Sequence, residues 1–405
     1  MTMVSTIFIL TGLLICLGFV SHWLFRRTGI PDVLLLVFAG FLLGPVWHLV
    51  DTAQVYPIAP VFSALALVII VFDGALGLNL FKVLGESAKA LLLALLGVAA
   101  SVALTVLCAR FLFQWSYGEG ILLGIIVGGT SSSVVIALVN RLRAPERVVM
   151  LLTLESIFTD AVVIVVSITL MQTMLTSGSD NSLPNLGRGI ASALSIGAVV
   201  GSILGVLWGR LLTAMRSEQY NDILTLSVLV LMYAVVEQLG GNGAIFALVF
   251  GLVLANGSSV ANMLRMKEAV DASELMKSFA SQVSFFLRTF FFVYLGLIIV
   301  VSNYKAWIFG LVLSVLLVLG RLVAAWAISI KDSVLRQNMP LLTVMFPRGL
   351  AAAVIAQIVA ASQLARAREF PDMVTAVVIL TVLITAILTS FVKSRSSPKH
   401  QSETA

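Results

Sequence analysis

Most of the chain consists of uninterrupted apolar runs about 20 residues long, the length an α-helix needs to cross hydrocarbon. Thirteen such runs stand at roughly 3–25, 30–50, 57–78, 87–113, 119–140, 148–172, 189–215, 222–239, 242–256, 280–302, 304–330, 340–363 and 372–392. They lack the alternation of an outer-membrane barrel, so the predicted fold class is an all-α polytopic membrane protein with about thirteen transmembrane helices. Composition agrees. Of 405 residues, 60% are apolar and 11% charged, against roughly 25% charged in a soluble domain. The net charge of +6 sits in short connections and does not point to nucleic acid. Cys16 and Cys108 lie within apolar runs and build no disulfide framework. The first run has no basic n-region and no small-residue cleavage site, so it reads as a retained helix rather than a signal peptide.

Thirteen crossings put the termini on opposite sides. The connections on the C-terminal side carry seventeen Lys and Arg, among them Arg26, Arg27, Arg141, Arg143, Arg147, Lys331 and Arg336; the other side carries five, Arg110, Arg188, Lys305, Arg366 and Arg368. Positive residues mark the cytoplasmic side. The expected placement is therefore multi-pass in the cell membrane, N-terminus outside and C-terminus cytoplasmic. The mixed-charge connection 257–279 has room for a short amphipathic helix. Residues 393–405 read as a short, polar, disordered cytoplasmic tail, with no nucleotide-binding regulatory domain expected there.

Ionisable groups at membrane depth cost several kcal/mol and mark functional sites by default. Three positive residues remain after the connections are counted, Arg288, Arg321 and Arg348; the negative ones are Asp73, Glu155 and Asp160, with Glu237 nearer a helix end. In the sixth run, Leu154-Glu155-Ser156-Ile157-Phe158-Thr159-Asp160, Ser156 and Asp160 stand four apart and share a helix face, with Thr159 beside them. This oxygen cluster suits a hard cation, and the carboxylate also binds a proton. His22, His48 and His400 lack metal-ligand spacing, so no transition metal and no cofactor are expected. The glycines Gly197, Gly201 and Gly205, at four-residue steps, predict close helix packing.

Two runs break the helical pattern at mid-membrane. The fifth reads Gly128-Gly129-Thr130-Ser131-Ser132-Ser133 and the twelfth Met345-Phe346-Pro347-Arg348-Gly349-Leu350. Glycine and hydroxyl residues are poor helix formers, and proline removes a backbone donor. Unwound backbone at this depth must be buried or line a cavity, where freed carbonyls and the hydroxyls of Thr130 and Ser131 become cation ligands. Arg348 needs a buried partner, and Glu155 is the predicted one. If residues 1–172 and 222–392 are two repeats joined by a connecting helix at 189–215, each break occupies the fifth position of its copy and the second copy is inverted. The whole of 1–392 is then one transporter unit, and paired broken helices in inverted repeats put an ion site at the midplane.

At these residues the chain resembles the monovalent cation:proton antiporter superfamily, and within it the prokaryotic sodium/proton exchangers. Ala39-Gly40-Phe41-Leu42-Leu43-Gly44-Pro45 is similar to the family's second-span motif, and Phe72-Asp73-Gly74-Ala75-Leu76 to its third-span motif. Leu154 to Asp160 is similar to its central motif, and Gly243-Ala244-Ile245 through Asn256 and Pro347-Arg348-Gly349-Leu350 also match. The resemblance implies thirteen spans, a homodimer, and a crossing of two unwound helices. It implies that Asp160 is the shared proton and cation carrier, that Ser156 and Thr130 help coordinate the ion, that Asp73 sits in the access path, and that Glu155 pairs with Arg348. Two positions depart from the pattern: Ser131 stands where members often have Asp, and Thr159 where they usually have Asn. The hydroxyl run from Thr130 to Ser133 resembles the potassium efflux antiporters, and a hydroxyl in place of a carboxylate weakens the field and favours potassium.

The expected function is secondary active exchange of a monovalent cation for protons, one for one and electroneutral, with sodium the favoured cation and potassium the alternative. A channel would need a continuous pore, which buried ionic residues argue against. Sodium-coupled uptake of an organic solute is compatible with the architecture. An intramembrane protease would need a carboxylate dyad or a serine with its base, so no enzyme activity is expected.

Overall fold

The structure, a computed structural model of the chain, describes residues 3–50, 59–78, 80–175, 183–215, 220–263, 265, 271–299 and 303–392. Among these residues every regular element is helical. In chain order they are α1 (Met3–Thr28), α2 (Asp32–Phe41, running into a π-helical turn at Leu42–Val46), α3 (Ala59–Leu76), α4 (Leu80–Phe113), α5 (Tyr117–Ile126), α6 (Ser132–Arg141), α7 (Glu146–Leu175) and α8 (Leu183–Ala214). There follow α9 (Asn221–Gln238), α10 (Gly243–Ala255), α11 (Gly257–Met263), α12 (Glu274–Leu297), α13 (Tyr304–Ser329), α14 (Ser333–Gln337), α15 (Met339–Val344), α16 (Leu350–Ala360) and α17 (Phe370–Phe391).

Seven of these helices are long and apolar enough to cross a membrane alone, and eight if α10 and α11, bent by 85°, are one span. Both expected breaks are present: α5 and α6 are separated by 127–131, and α15 and α16 by 345–349. The helix resumes at Ser132, earlier than the hydroxyl run suggested. The fourth helix begins at Leu80 rather than near 87, because Lys and Glu are good helix formers even where they end an apolar run. The connection after Ala255 contains the short helix α11. The tail 393–405 lies outside the described residues.

The helices pack in two groups. One contains α4 to α7 with α13, α15, α16 and α17, and so holds both breaks; the other contains α1, α2, α3, α8, α9, α10 and α12. The groups meet chiefly where α16 packs on α3 and α8 on α7. Small residues set the closest approaches within the second group. A Cβ on Gly40 would lie 2.0 Å from the Val293 carbonyl oxygen, and one on Gly296 2.0 Å from that of Val37, so α2 and α12 cross backbone to backbone. On α8 the expected glycine stripe packs against α10: a Cβ on Gly197 would meet Asn242 O at 2.6 Å and one on Gly201 would meet Phe246 O at 2.9 Å.

The first group is pinned at one end by Asp332. Its carboxylate caps α14 through the amides of Val334 and Leu335 and pairs with Lys89 of α4 and Arg147 of α7. Burial pushes this carboxyl up, but the Lys89 and Leu335 hydrogen bonds and the Arg147 and Lys89 charges outweigh it and hold the group below the ordinary carboxylate value. Its stabilising contribution is therefore complete above the ordinary carboxylate range and is lost as pH falls through the lowered folded value.

Two outcomes follow for purified protein in detergent. Gly40→Ala is expected to lower stability by about 1–3 kcal/mol through overpacking, while Gly12→Ala, whose Cβ would meet nothing within 4 Å, is expected to cause no loss. Asp332→Asn is expected to lower the melting temperature at pH 7, with the difference shrinking as the buffer is taken down toward about pH 3.

Candidate functional site

The two breaks lie against each other. The amide of Ser131 donates to the Pro347 carbonyl at 2.7 Å, a backbone bond between two unwound segments more than two hundred positions apart. Gly349 makes this possible: a Cβ there would stand 2.6 Å from both Cβ and Oγ of Ser131. Its φ of −137° is open to any residue, so space, not conformation, requires glycine.

Breaking a helix in hydrocarbon leaves bare carbonyls at the end of its first half. Arg348 takes them. Its Nη1 donates to Gly128 O at 2.8 Å and Gly129 O at 3.0 Å, and its Nη2 to Ser101 Oγ at 3.1 Å. Its own backbone amide is held by Thr381 Oγ1 at 3.0 Å. The guanidinium thus sits at the negative end of the α5 dipole, where a cation is favourable.

Glu155 does not pair with Arg348 as the sequence reading expected. Its partner is Arg321 of α13, in a buried fork: Nη1 to Oε1 at 3.0 Å and Nη2 to Oε2 at 3.1 Å. Arg321 Nε also donates to Leu342 O at 2.9 Å, tying α13 to α15. The physical reason is the carbonyls just described, which occupy the guanidinium of Arg348 and leave the planar fork of Arg321 free for a bidentate carboxylate. Ser101 and Arg321 are functional-site residues that the sequence reading did not place. Arg321 was visible as one of three arginines at membrane depth; nothing marked Ser101.

Thr130 links the break to α7. Its Oγ1 lies 3.2 Å from Glu155 Oε1, 3.0 Å from Ser156 Oγ and 3.3 Å from Thr159 Oγ1. Its amide donates to Thr159 Oγ1 at 3.1 Å, and that hydroxyl donates to Ser156 O at 2.9 Å. The structure thus brings Thr130, Glu155, Ser156 and Thr159 together, all buried.

Asp160 stands one turn beyond Ser156. It faces a cavity lined by Gly74 and Ala75 of α3, Ser132 of α6, and Ala244 and Leu248 of α10, and so looks from the first helix group toward the second. Its Oδ1 passes close to Gly129, where a Cβ would come within 3.5 Å. Among the described residues no side chain hydrogen-bonds to this carboxylate. Asp73 is next to the cavity-lining Gly74, but its own neighbours are Ser284 and Arg288 of α12. The site can therefore offer the Asp160 carboxylate, in a cavity that Ser132 also lines and beside backbone held open at a helix break. No group of three or more His, Cys, Asp or Glu that could hold a metal ion occurs among the described residues.

Residues 7–394 match the family model described as "Sodium/hydrogen exchanger, transmembrane". The chain belongs to this family. Among similar proteins, it is 28% identical over 329 residues to the K(+)/H(+) antiporter NhaP2 of Shewanella oneidensis, covering 80% of this chain and 55% of that protein. It is 24% identical over 312 residues to the K(+)/H(+) antiporter NhaP of Alkalimonas amylolytica, covering 75% and 51%. The chain thus spans about half the length of the curated relatives it matches. Its fold is that of the sodium proton antiporter MjNhaP1 from Methanocaldococcus jannaschii at pH 8, with a TM-score of 0.78 at 20% identity over 96% of each chain.

The ion pair has a measurable signature. Arg321→Met leaves Glu155 buried and uncompensated, and a loss of about 3–5 kcal/mol in thermal unfolding is expected. Adding Glu155→Gln is expected to restore more than half of it. The same Gln placed on Arg348→Met is expected to restore nothing, since Arg348 is held by carbonyls.

Proposed function

We propose that this chain exchanges a monovalent cation for protons across the membrane, with Asp160 as the carrier of both. The observation that carries the reading is the Asp160 carboxylate itself: without a side-chain hydrogen bond among the described residues, facing the cavity between the two helix groups that Ser132 also lines, and close to the Gly129 backbone at the break. A bare carboxylate in such surroundings is costly, so it holds either a proton or a cation, and each excludes the other. Ser156, Thr130 and Ser131 help ligate the cation, Thr159 holds Thr130 in place, and Asp73 stands in the access path beside Arg288. The Glu155–Arg321 pair and Arg348 fix the break.

Coupling follows from this economy of sites. The moving group has the same net charge whether Asp160 carries a proton or a monovalent cation, so one cation crosses for one proton. The group holding both breaks moves against the other, exposing Asp160 to each side in turn. Two halves, about 1–172 and 222–392, joined by a helix at about 189–215, give this movement its inverted symmetry, with thirteen crossings in all. The protein works as a homodimer in the cell membrane, N-terminus outside and C-terminus cytoplasmic. Sodium is the cation we assign first, on the family description. Ser131 in place of a carboxylate, and the K(+)/H(+) naming of the relatives above, favour potassium as the second reading.

Proteoliposomes with an internal pH dye, challenged in turn with sodium, potassium and lithium, test the function and rank the cations. Asp160→Asn is expected to abolish exchange while leaving a folded protein, because it keeps the shape and removes a buried charge. Cation-dependent proton flux persisting in folded Asp160→Asn would move the carrier role to another residue. Solid-supported-membrane recordings are expected to show no transport current; currents that scale with flux would overturn the one-for-one ratio.

A further inference from the structure

A cleft of about 770 Å³ opens between α1, α6 and α12 at the start of α2. It lies on the face that carries the Arg141, Arg143 and Arg147 connection. His22 and Asp32 line it, with Nδ1 of His22 3.8 Å from Oδ2 of Asp32. Deeper in the same cleft stand Thr289 and Arg288, and Arg288 is a neighbour of Asp73. The cleft therefore runs from exposed His22 and half-buried Asp32 to the approach of the proposed ion site.

The charges along this path are few. Asp32 is the one carboxylate among the described lining residues, and Arg288 the one permanent cation. From α12, Ser278, Ser281 and Gln282 line the cleft, and Phe285 meets the His22 ring edge to face at 6.3 Å. From α6 the charged group facing the end of α1 is Arg141, whose Nη1 donates to Phe25 O at 3.4 Å. On α1 itself, Arg27 stacks over Trp23 at 4.3 Å. A cation approaching the cleft thus meets one attractive charge against several repulsive ones, and histidine is the side chain whose charge changes between about pH 5 and 8.

We propose that Asp32 is a cation-capture residue at the mouth of this cleft, and that His22 switches it: neutral His22 leaves Asp32 free to attract a sodium or potassium ion, and protonated His22 pairs with Asp32 and cancels the attraction. This rests on the exchange reading above and deepens it. Proton competition at Asp160 occurs inside the carrier; the His22–Asp32 pair adds a second, electrostatic inhibition by protons outside it, acting on cation KM and screened by salt.

The test is the cation KM in proteoliposomes at pH 6 and pH 8.5, for wild type, His22→Gln, His22→Lys and Asp32→Asn, each checked for monodispersity and melting temperature. At pH 6, His22→Gln is expected to lower KM about threefold, the size of effect an exposed charge pair produces; the ratio to wild type should approach one at pH 8.5 and shrink when choline chloride raises the ionic strength. His22→Lys, carrying a fixed charge, is expected to keep KM above that of His22→Gln by a similar factor at both pH values, leaving only the pH dependence that arises at Asp160. Asp32→Asn is expected to raise KM at pH 8.5 and to remove the benefit of His22→Gln in the double variant. Equal KM in wild type, His22→Gln and His22→Lys at both pH values overturns the proposal. So does a His22→Gln effect that survives Asp32→Asn. Absence of any cation-dependent proton flux in wild type instead overturns the exchange reading on which the proposal rests.

Discussion

A backbone carbonyl cannot be left bare in hydrocarbon, and this constraint organises the protein. Two helices stop at mid-membrane, at 127–131 and 345–349, and each break creates polar groups that water does not reach. The breaks answer one another. Pro347 gives its carbonyl to the Ser131 amide, and Arg348, carried on one break, satisfies the carbonyls of Gly128 and Gly129 on the other. The proline that ends α15 and the glycines that end α5 are thus parts of one solution.

The buried charges follow from that solution. With Arg348 committed to dipoles, the carboxylate of Glu155 takes Arg321 from a helix outside either break. That pair fastens α7 to α13, and through Leu342 O to α15. Fixing these two charges leaves Asp160 as the carboxylate at the break that is not already spent. The polar network around Thr130 ties the first break to α7 through Glu155, Ser156 and Thr159. A buried polar network of this kind rigidifies and specifies the core around it.

Much of this was legible in the chain. Runs of about 20 apolar residues mark the helices, and Gly128-Gly129 and Pro347 with Gly349 mark the breaks within a few residues. Ser156 and Asp160 stand four apart on α7, Ser156 against Thr130 and Asp160 at the cavity toward the second helix group. What could not be read was the pairing of charges. Arg321 and Arg348 are both lone arginines in apolar surroundings, and which one meets Glu155 depends on how α13 and the second break cross α7. Asp73 was read as sitting in the access path; that its neighbours would be Ser284 and Arg288 of α12, over two hundred positions away, had no mark in the sequence. The start of α4 was missed for a local reason, since Lys82, Glu86 and Lys89 look like a connection although their helix propensity is high.

The contact between Ser131 and Gly349 also restricts how such a chain can diverge. Position 349 has room for no side chain so long as position 131 carries one. Exploring other chemistry at 131, including a carboxylate that would strengthen the cation field, is therefore open only to lineages that keep glycine at 349. Selectivity can drift through one of these two positions while the other stands still, so ion preference and architecture need not change together.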